Sequence, residues 1–206
     1  MELFMDKGLR VIYIARHGET AWTITGQHTG LTDLPLTPRG ECNARALAER
    51  FAGLTFSKVY TSPLQRAQRT CELAGFGSVA EIDRELVEWD YGAYEGRCSA
   101  EIHAERPEWQ LFRDGCPGGE TPAQIASRAD NVVGRLRAIK DGDALIFSSG
   151  HFIRVLAARW IGLEPTQNSM SFMLSTASVS AFGYERDLSR CVIQLWNDTH
   201  HVRSQS

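Results

Sequence analysis

Short apolar runs along this chain alternate with longer stretches in which apolar residues recur at helical spacing. The runs, which are typical of buried strands, are VIYIA (11–15), KVYTS (58–62), ALIFSS (144–149), VSAFGY (179–184) and CVIQLW (191–196). The helical stretches are residues 37–53, 120–139 and 151–162. This alternation is typical of βαβ units and predicts an α/β fold, a three-layer α/β/α sandwich around a mostly parallel sheet. We expect the last two strands at an edge of that sheet.

Capping residues mark the ends of the predicted helices. Thr37 and Pro38 suit the start of the first helix, and Gly53 suits its end. Thr121 followed by Gln124 has the spacing of a capping box, which places the start of the second helix. The apolar stripe predicted for this second helix consists of Ile125, Ala129, Val132, Val133 and Leu136.

Residues 92–120 interrupt the alternation, since this stretch is aromatic and glycine-rich and carries no strand pattern. The chain of 206 residues is long enough to bury a sizeable core, and no repeat, linker or low-complexity segment divides it. We therefore predict a single domain over residues 1–206 with a lid inserted at roughly 92–120.

Composition excludes several classes of function. The formal net charge of −3 argues against nucleic acid or an anionic membrane as the main partner. The five cysteines include no Cys-x-x-Cys pair, which predicts reduced thiols rather than a disulfide framework or a zinc site. No apolar run reaches membrane-spanning length, and the N-terminus lacks the long apolar stretch of a secretory signal. We expect a cytoplasmic protein that binds neither nucleic acid nor membrane.

Three of the predicted strands end in residues that can carry chemistry. These residues are Arg16 and His17 at the first strand, Ser62 and Arg66 at the second, and Ser149, Gly150 and His151 at the third. Because ligands of open α/β sheets bind outside the carboxyl ends of the strands, we expect these residues to meet at one site.

The residue types suit the transfer of a phosphoryl group. Arg16 and Arg66 can hold phosphate oxygens with bidentate guanidinium groups. The neutral imidazole of His17 can attack phosphorus and form a covalent phosphohistidine. Glu88, in LVEWDYGAYEG, can protonate the leaving oxygen if burial among aromatic neighbours favours its protonated form. No cluster of Asp and His has the spacing of metal ligands, so we expect arginines in place of a metal, and no cofactor.

Each of these residues also has an ordinary structural interpretation. Arg66 can be an exposed charge on a helix, Glu88 a surface carboxylate, and SSGH a strand-to-helix turn capped by a serine. Their occurrence together, at compatible places in the fold, favours a catalytic site over a set of unrelated polar residues.

Four motifs together resemble the histidine phosphatase superfamily, which is also called phosphoglycerate mutase-like. ARHGETAW is similar to the motif with the phosphorylated histidine, TSPLQRAQRT to the second arginine motif, LVEWDYGAYEG to the segment with the acid–base glutamate, and GCPGGET to the junction between lid and helix. Within the superfamily, TGQHTGLTDLPLTPRGE, EWDYGAYEG and RDGCPGGE most resemble phosphatases of the sedoheptulose-bisphosphatase type and broad-specificity acid phosphatases.

The resemblance implies a role for each candidate residue. His17 would be the phosphorylated nucleophile, Arg16 and Arg66 would bind the phosphate, and Glu88 would donate and accept protons. The remaining candidates for substrate binding are Thr23, His28, Thr29, Tyr91, Ser149, Gly150 and Arg154. Thr23 stands where many members of the family have asparagine.

Ser149 is the main departure from the family pattern. Relatives have their second active-site histidine at this position, and a serine provides a hydrogen bond but no charge. His151, two residues further on, is a candidate to replace that histidine in the site. Ser99 stands where mutases of the family have a lysine that grips the substrate, which favours hydrolysis over mutase activity.

The expected function is therefore metal-independent hydrolysis of small, sugar-type phosphomonoesters through a phosphohistidine. Two alternatives stay open, a phosphoglycerate mutase and a catalytically weakened protein that binds a phosphorylated ligand. The expected partner is a small phosphorylated metabolite, and a homodimer is an open option for the assembly.

Overall fold

The computed structural model of this chain describes residues 9–202, with every side chain except that of Gln167. The single domain predicted over residues 1–206 therefore includes two ends, 1–8 and 203–206, that lie outside the described residues. None of the helices within the described range is long and apolar enough to cross a lipid bilayer.

The described residues form six strands and eight α-helices. The strands are β1 (Ile12–Arg16), β2 (Phe56–Thr61), β3 (Glu81–Ile82), β4 (Asp143–Ser148), β5 (Val179–Tyr184) and β6 (Cys191–Asp198). The helices are α1 (Ala21–Thr25), α2 (Pro38–Arg50), α3 (Gln65–Leu73), α4 (Ser99–Glu105), α5 (Leu111–Asp114), α6 (Pro122–Ala138), α7 (Gly150–Trp160) and α8 (Pro165–Asn168). Short 3-10 turns occupy Arg84–Leu86, Gly92–Tyr94 and Ser169–Ser171.

The strands form one sheet in the order β3-β2-β4-β1-β5-β6. The pairs β1–β4, β2–β4 and β2–β3 are parallel, whereas the pairs β1–β5 and β5–β6 at one edge are antiparallel, so β5 alone runs against the other strands. The predicted mostly parallel sheet with its last two strands at an edge is therefore confirmed. Strand β3 was not predicted, because it has only two residues, both exposed, and so carries no apolar run.

Apolar side chains cover both faces of the sheet and create two cores. On β1, Ile12 and Ile14 belong to the core beneath α6 and α7, and Tyr13 and Ala15 belong to the core beneath α2 and α3. A strand buried on both faces reads as a continuous apolar run, which is why VIYIA is recognisable in the sequence. The three-layer α/β/α arrangement follows and agrees with the prediction.

The helix starts agree with the capping residues. The Thr37 side chain accepts a hydrogen bond from the Gly40 N–H, and Thr121 forms the expected capping box with Gln124. Such a cap stabilises a helix by about 1 kcal/mol. Helix α2 ends at Arg50, ahead of the predicted stop, and Gly53 occupies the turn that follows with a φ of 81°.

Residues 92–120, here called the lid segment, contain α4, α5 and a 3-10 turn but no strand. Its two ends cross at close range, since a Cβ on Gly92 would lie 2.3 Å from the backbone nitrogen of Gly119. Gly92 also has a φ of 49°, so both the contact and the backbone conformation require glycine. Inside the segment, the buried indole of Trp109 donates to the carbonyl oxygen of Gly115 at 2.8 Å.

Candidate active site

The carboxyl ends of β1 and β4 open into a cavity of about 240 Å³. The two strands are parallel neighbours with Arg16 opposite Ser148, so the residues that follow them reach the same edge of the sheet. The cavity wall includes every predicted site residue except Arg66 and Ser149, which are fully buried. The residues of the wall that were not among the candidates are Trp22, Gly26, Gln27, Ser99 and Leu174.

The His17 imidazole is buried, and its hydrogen bonding determines which nitrogen carries the proton. Nδ1 lies 2.7 Å from the carbonyl oxygen of Gly18, which can only accept, so Nδ1–H donates and Nε2 keeps its lone pair. Burial, followed by the positive charges of Arg66 and Arg16, holds the pKa of His17 well below its usual value of 6.5. The ring is therefore neutral near pH 7, which is the form a nucleophile requires.

The turn after β1 is packed tightly enough to hold this ring in place. The backbone N–H of His17 donates to the carbonyl oxygen of Ser148 at 3.0 Å, and that of Gly18 donates to Oγ1 of Thr70 in α3 at 2.9 Å. A Cβ on Gly18 would lie 2.5 Å from the carbonyl oxygen of Gly40 in α2. Only glycine lets the turn approach α2 so closely, which explains the glycine next to the histidine in ARHGET.

The Arg16 guanidinium lies against the first residue of α7. A Cβ on Gly150 would lie 3.1 Å from Cζ and from Nε of Arg16, so glycine leaves room for the guanidinium. Nη1 of Arg16 donates to the carbonyl oxygen of Leu174 at 2.5 Å. Within the described part of the chain, the buried Nε has no hydrogen-bond partner. The Nε–H is therefore an unpaired buried donor in a residue that lines the cavity.

Arg66 is fully buried, so its interpretation as an exposed helix charge is wrong. Its Nη2 donates to the carbonyl oxygens of Thr29 at 3.1 Å and Gly30 at 2.7 Å, and its Nη1 donates to that of Thr32 at 2.9 Å. Its buried Nε lacks a partner among the residues described. Backbone carbonyls thus orient the guanidinium, and its Nε–H is left without a partner in the described residues.

Glu88 is also buried, with 4% of its surface exposed, so the interpretation as a surface carboxylate is wrong. Its Oε1 accepts from the N–H groups of Phe152 at 2.8 Å and Trp89 at 2.9 Å, and its Oε2 accepts from that of His151 at 2.9 Å. The carboxyl group therefore caps the N-terminus of α7 and accepts from N–H groups that have no partner within the helix.

The charges of the site act on one another because they are close and shielded from water. Burial lowers the pKa values of Arg16, Arg66 and Arg154, and the nearby Glu88 raises all three. Guanidinium groups stay protonated under such conditions, so the cavity keeps its cations.

Tyr91, His151 and His28 form an aromatic group on the cavity wall. The Tyr91 hydroxyl lies 2.5 Å from Nδ1 of His151, and the ring centroids of His28 and Tyr91 are 4.7 Å apart. Burial raises the pKa of Tyr91 well above 10, so the phenol keeps its proton. Burial lowers the pKa of His151 well below 6.5 and that of His28 to about 4. Both imidazoles are therefore neutral near pH 7.

Ser149 occupies the N-cap position of α7 but does not cap it with its side chain. The residue is fully buried, and in the described residues its Oγ has no hydrogen-bond partner. A buried hydroxyl without a partner costs about 1–3 kcal/mol, which makes it an unusual feature to retain in a core. Among the described residues, Nε of Arg16 and Nε of Arg66 are likewise buried without a partner, as are Arg10 Nε, Gln194 Oε1 and His201 Nδ1 outside the cavity wall.

The remaining candidates make local contacts at the wall. Thr23 uses its hydroxyl within α1, where Oγ1 donates to the carbonyl oxygen of Thr20 at 2.8 Å. Thr29 donates from Oγ1 to the carbonyl oxygen of Gln27 at 3.3 Å. The Arg154 guanidinium donates to the carbonyl oxygens of Ser169 and Met170 and lies 4.7 Å above the Phe112 ring.

Two kinds of residue on the cavity wall were not among the predicted site residues. Trp22, Gly26 and Gln27 lie within or beside motifs that carried candidates, so their proximity in sequence is a signal that could have found them. Leu174 carries no such signal, because it contributes only a backbone carbonyl to Arg16. Ser99 was noted only for the lysine it replaces; its Oγ lies 3.3 Å from Nε2 of His28.

A second cavity of about 400 Å³ adjoins the first and shares His28, Ser99, His151 and Arg154 with it. Its remaining wall comes largely from the lid segment, including Trp109 and the α5 residues Leu111 and Phe112. Across residues 9–202, no group of three or more His, Cys, Asp or Glu side chains is arranged to hold a metal ion.

Known proteins with related sequences or structures point to one family. Residues 12–199 match the model of the histidine phosphatase superfamily, branch 1. An acid phosphatase of Mycobacterium tuberculosis is 37% identical over 88% of this chain and 90% of its own length. A sedoheptulose 1,7-bisphosphatase of Saccharomyces cerevisiae is 37% identical over 73% of this chain and 67% of its own length. The solved structure of an open reading frame from Mycobacterium tuberculosis matches with a TM-score of 0.87 and 35% identity, over 93% of this chain and 99% of that one.

The match spans all three predicted strand ends and the lid segment, so it covers the whole candidate site. The chain belongs to the histidine phosphatase superfamily, and it is a phosphatase, as its motifs predict.

Proposed function

We propose that this chain hydrolyses small, sugar-type phosphomonoesters without a metal ion, through a phosphohistidine at His17. One arrangement carries the proposal. Neutral His17, with a free Nε2, lies within the electrostatic influence of two arginines whose buried Nε–H groups lack a partner in the described chain. Buried donors are normally paired, and phosphate oxygens are the acceptors that guanidinium groups fit best.

In the first step, Nε2 of His17 attacks phosphorus. The N–P bond forms while the P–O bond to the leaving group breaks, and the leaving oxygen takes a proton from Glu88. Arg16 and Arg66 stabilise the charge on the equatorial phosphoryl oxygens, since their orientation is set before the substrate arrives.

In the second step, water attacks the phosphohistidine. Glu88, now a carboxylate, accepts a proton from this water as the new P–O bond forms. The P–N bond breaks, its electron pair returns to Nε2, and inorganic phosphate leaves. Three backbone N–H groups hold the Glu88 side chain at the cavity wall through both steps.

We assign the donors at the β4 end to Ser149 and His151. The Ser149 hydroxyl is buried without a partner in the described residues, so a phosphoryl oxygen is a fitting acceptor for its proton. The protonated Tyr91 hydroxyl can donate to Nδ1 of His151, which leaves Nε2–H of that ring as a donor on the cavity wall.

We place the leaving alcohol in the second cavity, beyond His28 and His151. Its position next to the catalytic cavity and its shared Arg154 suit an alcohol that carries several polar groups. The relatives named acid phosphatase and sedoheptulose 1,7-bisphosphatase support the assignment to small, sugar-type phosphates.

Ser99 favours hydrolysis over the mutase alternative. It lines both cavities and offers a small neutral hydroxyl where a mutase of this family would have a lysine to grip the substrate. The second candidate, a protein that binds a phosphorylated ligand but turns it over slowly, is favoured by Ser149, which contributes no charge to the site.

A screen of phosphorylated metabolites and p-nitrophenyl phosphate, with wild type and His17→Ala, tests the proposal. We expect release of inorganic phosphate and acid-labile phosphate on the protein, both lost in the variant. Transfer of phosphate from 2,3-bisphosphoglycerate with conversion of phosphoglycerate isomers would identify a mutase instead. Tight binding of a phosphorylated metabolite with no turnover would identify the binding protein.

A small phosphorylated metabolite is thus the partner in this proposal. The cytoplasmic location, the lack of nucleic-acid or membrane partners and the option of a homodimer stay predictions.

A further inference from the structure

Glu95 lies in the lid segment, directly after the 3-10 turn Gly92–Tyr94. Its carboxylate binds the loop that contains Gly30 and Thr32, 63 to 65 residues earlier in the chain. Its Oε1 accepts from the N–H groups of Gly30 at 2.9 Å and Thr32 at 3.0 Å, and its Oε2 accepts from that of Gly30 at 3.0 Å. The side chain is only partly exposed, so these hydrogen bonds are sheltered from water.

The same loop is what orients Arg66. The carbonyl oxygens of Thr29, Gly30 and Thr32 accept hydrogen bonds from this guanidinium. The peptide group between Thr29 and Gly30 donates its N–H to Glu95 and accepts from Arg66 with its C=O. In a trans peptide these two groups point in opposite directions, so one planar unit separates the carboxylate from the guanidinium.

This geometry couples the two charged groups. A carboxylate on the N–H side and a cation on the C=O side polarise the same peptide in the same sense, which strengthens both hydrogen bonds. Burial lowers the pKa of Arg66, and Glu95 is among the acidic groups that raise it, as their proximity requires.

Glycine at position 30 allows the loop to approach Trp89 and Glu95 closely. A Cβ there would lie 2.5 Å from the carbonyl oxygen of Trp89 and 2.6 Å from Oε2 of Glu95. The preceding part of the loop is attached by backbone hydrogen bonds between His28 and residues 96–97. Leu31 is 49% exposed and adds little packing, so beyond Gly30 the loop is held by Glu95 and, at Asp33, by two hydrogen bonds from Gln65.

We propose that Glu95 is a positioning residue that fixes the phosphate-binding guanidinium of Arg66 through the Thr29–Gly30 peptide. The inference rests on the proposed function, in which Arg66 binds the phosphoryl group. This role links the lid segment to the phosphate site, because a lid residue binds the loop whose carbonyl oxygens orient the Arg66 guanidinium.

The test compares Glu95→Ala with Glu101→Ala in the full chain. Glu101 is a matched control, because it is a carboxylate of the same segment that accepts from a backbone N–H, that of Cys98 at 2.7 Å, without contacting the Arg66 loop. We expect Glu95→Ala to lower kcat/KM by about 10- to 100-fold and to raise the inhibition constant of inorganic phosphate in parallel. Glu101→Ala should leave both constants near those of wild type.

A double-mutant cycle with Arg66→Ala separates positioning from a general structural effect. If Glu95 acts through Arg66, Glu95→Ala changes kcat/KM by less than about twofold in the Arg66→Ala background. Equal losses in both backgrounds, or wild-type kinetics for Glu95→Ala, would overturn the inference.

Glu95→Gln covers the case in which the alanine variant fails to fold. It keeps the side-chain volume and one acceptor oxygen, so thermal unfolding should match wild type while phosphate inhibition weakens to an intermediate degree. Unchanged phosphate inhibition in folded Glu95→Gln would overturn the inference. Failure of the proposed function has a different result, in which Arg66→Ala or His17→Ala itself leaves turnover intact.

Discussion

The carboxyl ends of β1 and β4 lie side by side in the sheet, yet they meet the cavity with different chemistry. Strand β1 ends in a cation, Arg16, and is followed by a neutral imidazole with a free Nε2, that of His17. After β4, the corresponding position is Ser149, a neutral hydroxyl, and the N–H groups of the following helical turn are taken by Glu88.

This difference shows that strand register places residues at a site without deciding what they contribute. The parallel pairing of β1 with β4 brings both ends to one cavity. In the proposed mechanism, the charge that a phosphoryl group needs comes from the β1 end and from Arg66 on α3, while the β4 end adds hydrogen-bond donors and anchors a carboxylate. Under that proposal the β1 end serves attack and charge stabilisation, and the β4 end serves proton transfer.

Removing the nucleophile tests the β1 end and has the largest expected effect. His17→Ala should lower kcat by more than about 10⁴-fold, because no other group in the proposal forms the covalent bond. Incorporation of acid-labile phosphate should disappear while thermal unfolding stays cooperative. The surface variant His200→Ala serves as the control, and full turnover in His17→Ala would contradict the assignment.

The β4 end is tested through the carboxyl group it anchors. Glu88→Gln should slow esters of poor leaving groups by about 10²–10⁴-fold, since their alkoxides need a proton. Nitrophenyl esters need little protonation and should be affected far less. Equal losses on both kinds of ester would remove Glu88 from the role of general acid, and Glu101→Gln controls for loss of a carboxylate that accepts a backbone N–H away from the reacting groups.

Both ends share buried neutral histidines, which predicts a stability that depends on pH. His17, His28 and His151 have pKa values below 6.5 in the folded chain. As the pH falls, these residues therefore bind protons in the unfolded chain before they do so in the folded chain. The free energy of unfolding should therefore fall as pH drops from about 7 to about 4.

Denaturant unfolding at several pH values measures this slope. Because the pKa of His28 falls to about 4, this residue alone accounts for a loss on the order of 3 kcal/mol over that range. His28→Gln should flatten the curve. A wild-type stability that stays constant between these pH values would contradict the burial of these rings in neutral form.

Placing a histidine at the end of β4 tests whether this end lacks a charged donor. Ser149→His should raise kcat about tenfold if a donor with charge is what this end lacks, and His151→Ala should lower it about tenfold if His151 compensates. Steady-state kinetics and phosphate inhibition of both variants decide the matter. If neither variant changes either constant, the end of β4 does not act on the phosphoryl group.

Chelation is expected to have the smallest effect. In the proposal, Arg16 and Arg66 rather than a metal ion supply the positive charge at the phosphoryl group. Turnover should therefore be unchanged after treatment with EDTA. Activity that is lost in EDTA and restored by a divalent cation would show that a metal ion completes the site instead.

Much of the architecture was predictable because it is encoded locally. The strands β1, β2, β4, β5 and β6 are apolar runs, and α2 and α6 begin at the residues their caps indicate. The family, and with it the identity of the candidate residues, was predictable because the motifs are short and contiguous. Strand β3 was not, since it forms only by pairing with the end of β2.

The sequence by itself indicated most of the residues on the cavity wall, because strand ends, capping turns and motifs are properties of neighbouring positions. The tertiary structure alone decided how they are held. Arg66 is buried under the carbonyls of a loop more than thirty residues away, Glu88 sits on the N-terminus of α7, and the Ser149 hydroxyl has no partner in the described chain. Such contacts join segments far apart in sequence, and no local pattern of residues specifies the distance or direction at which those segments meet.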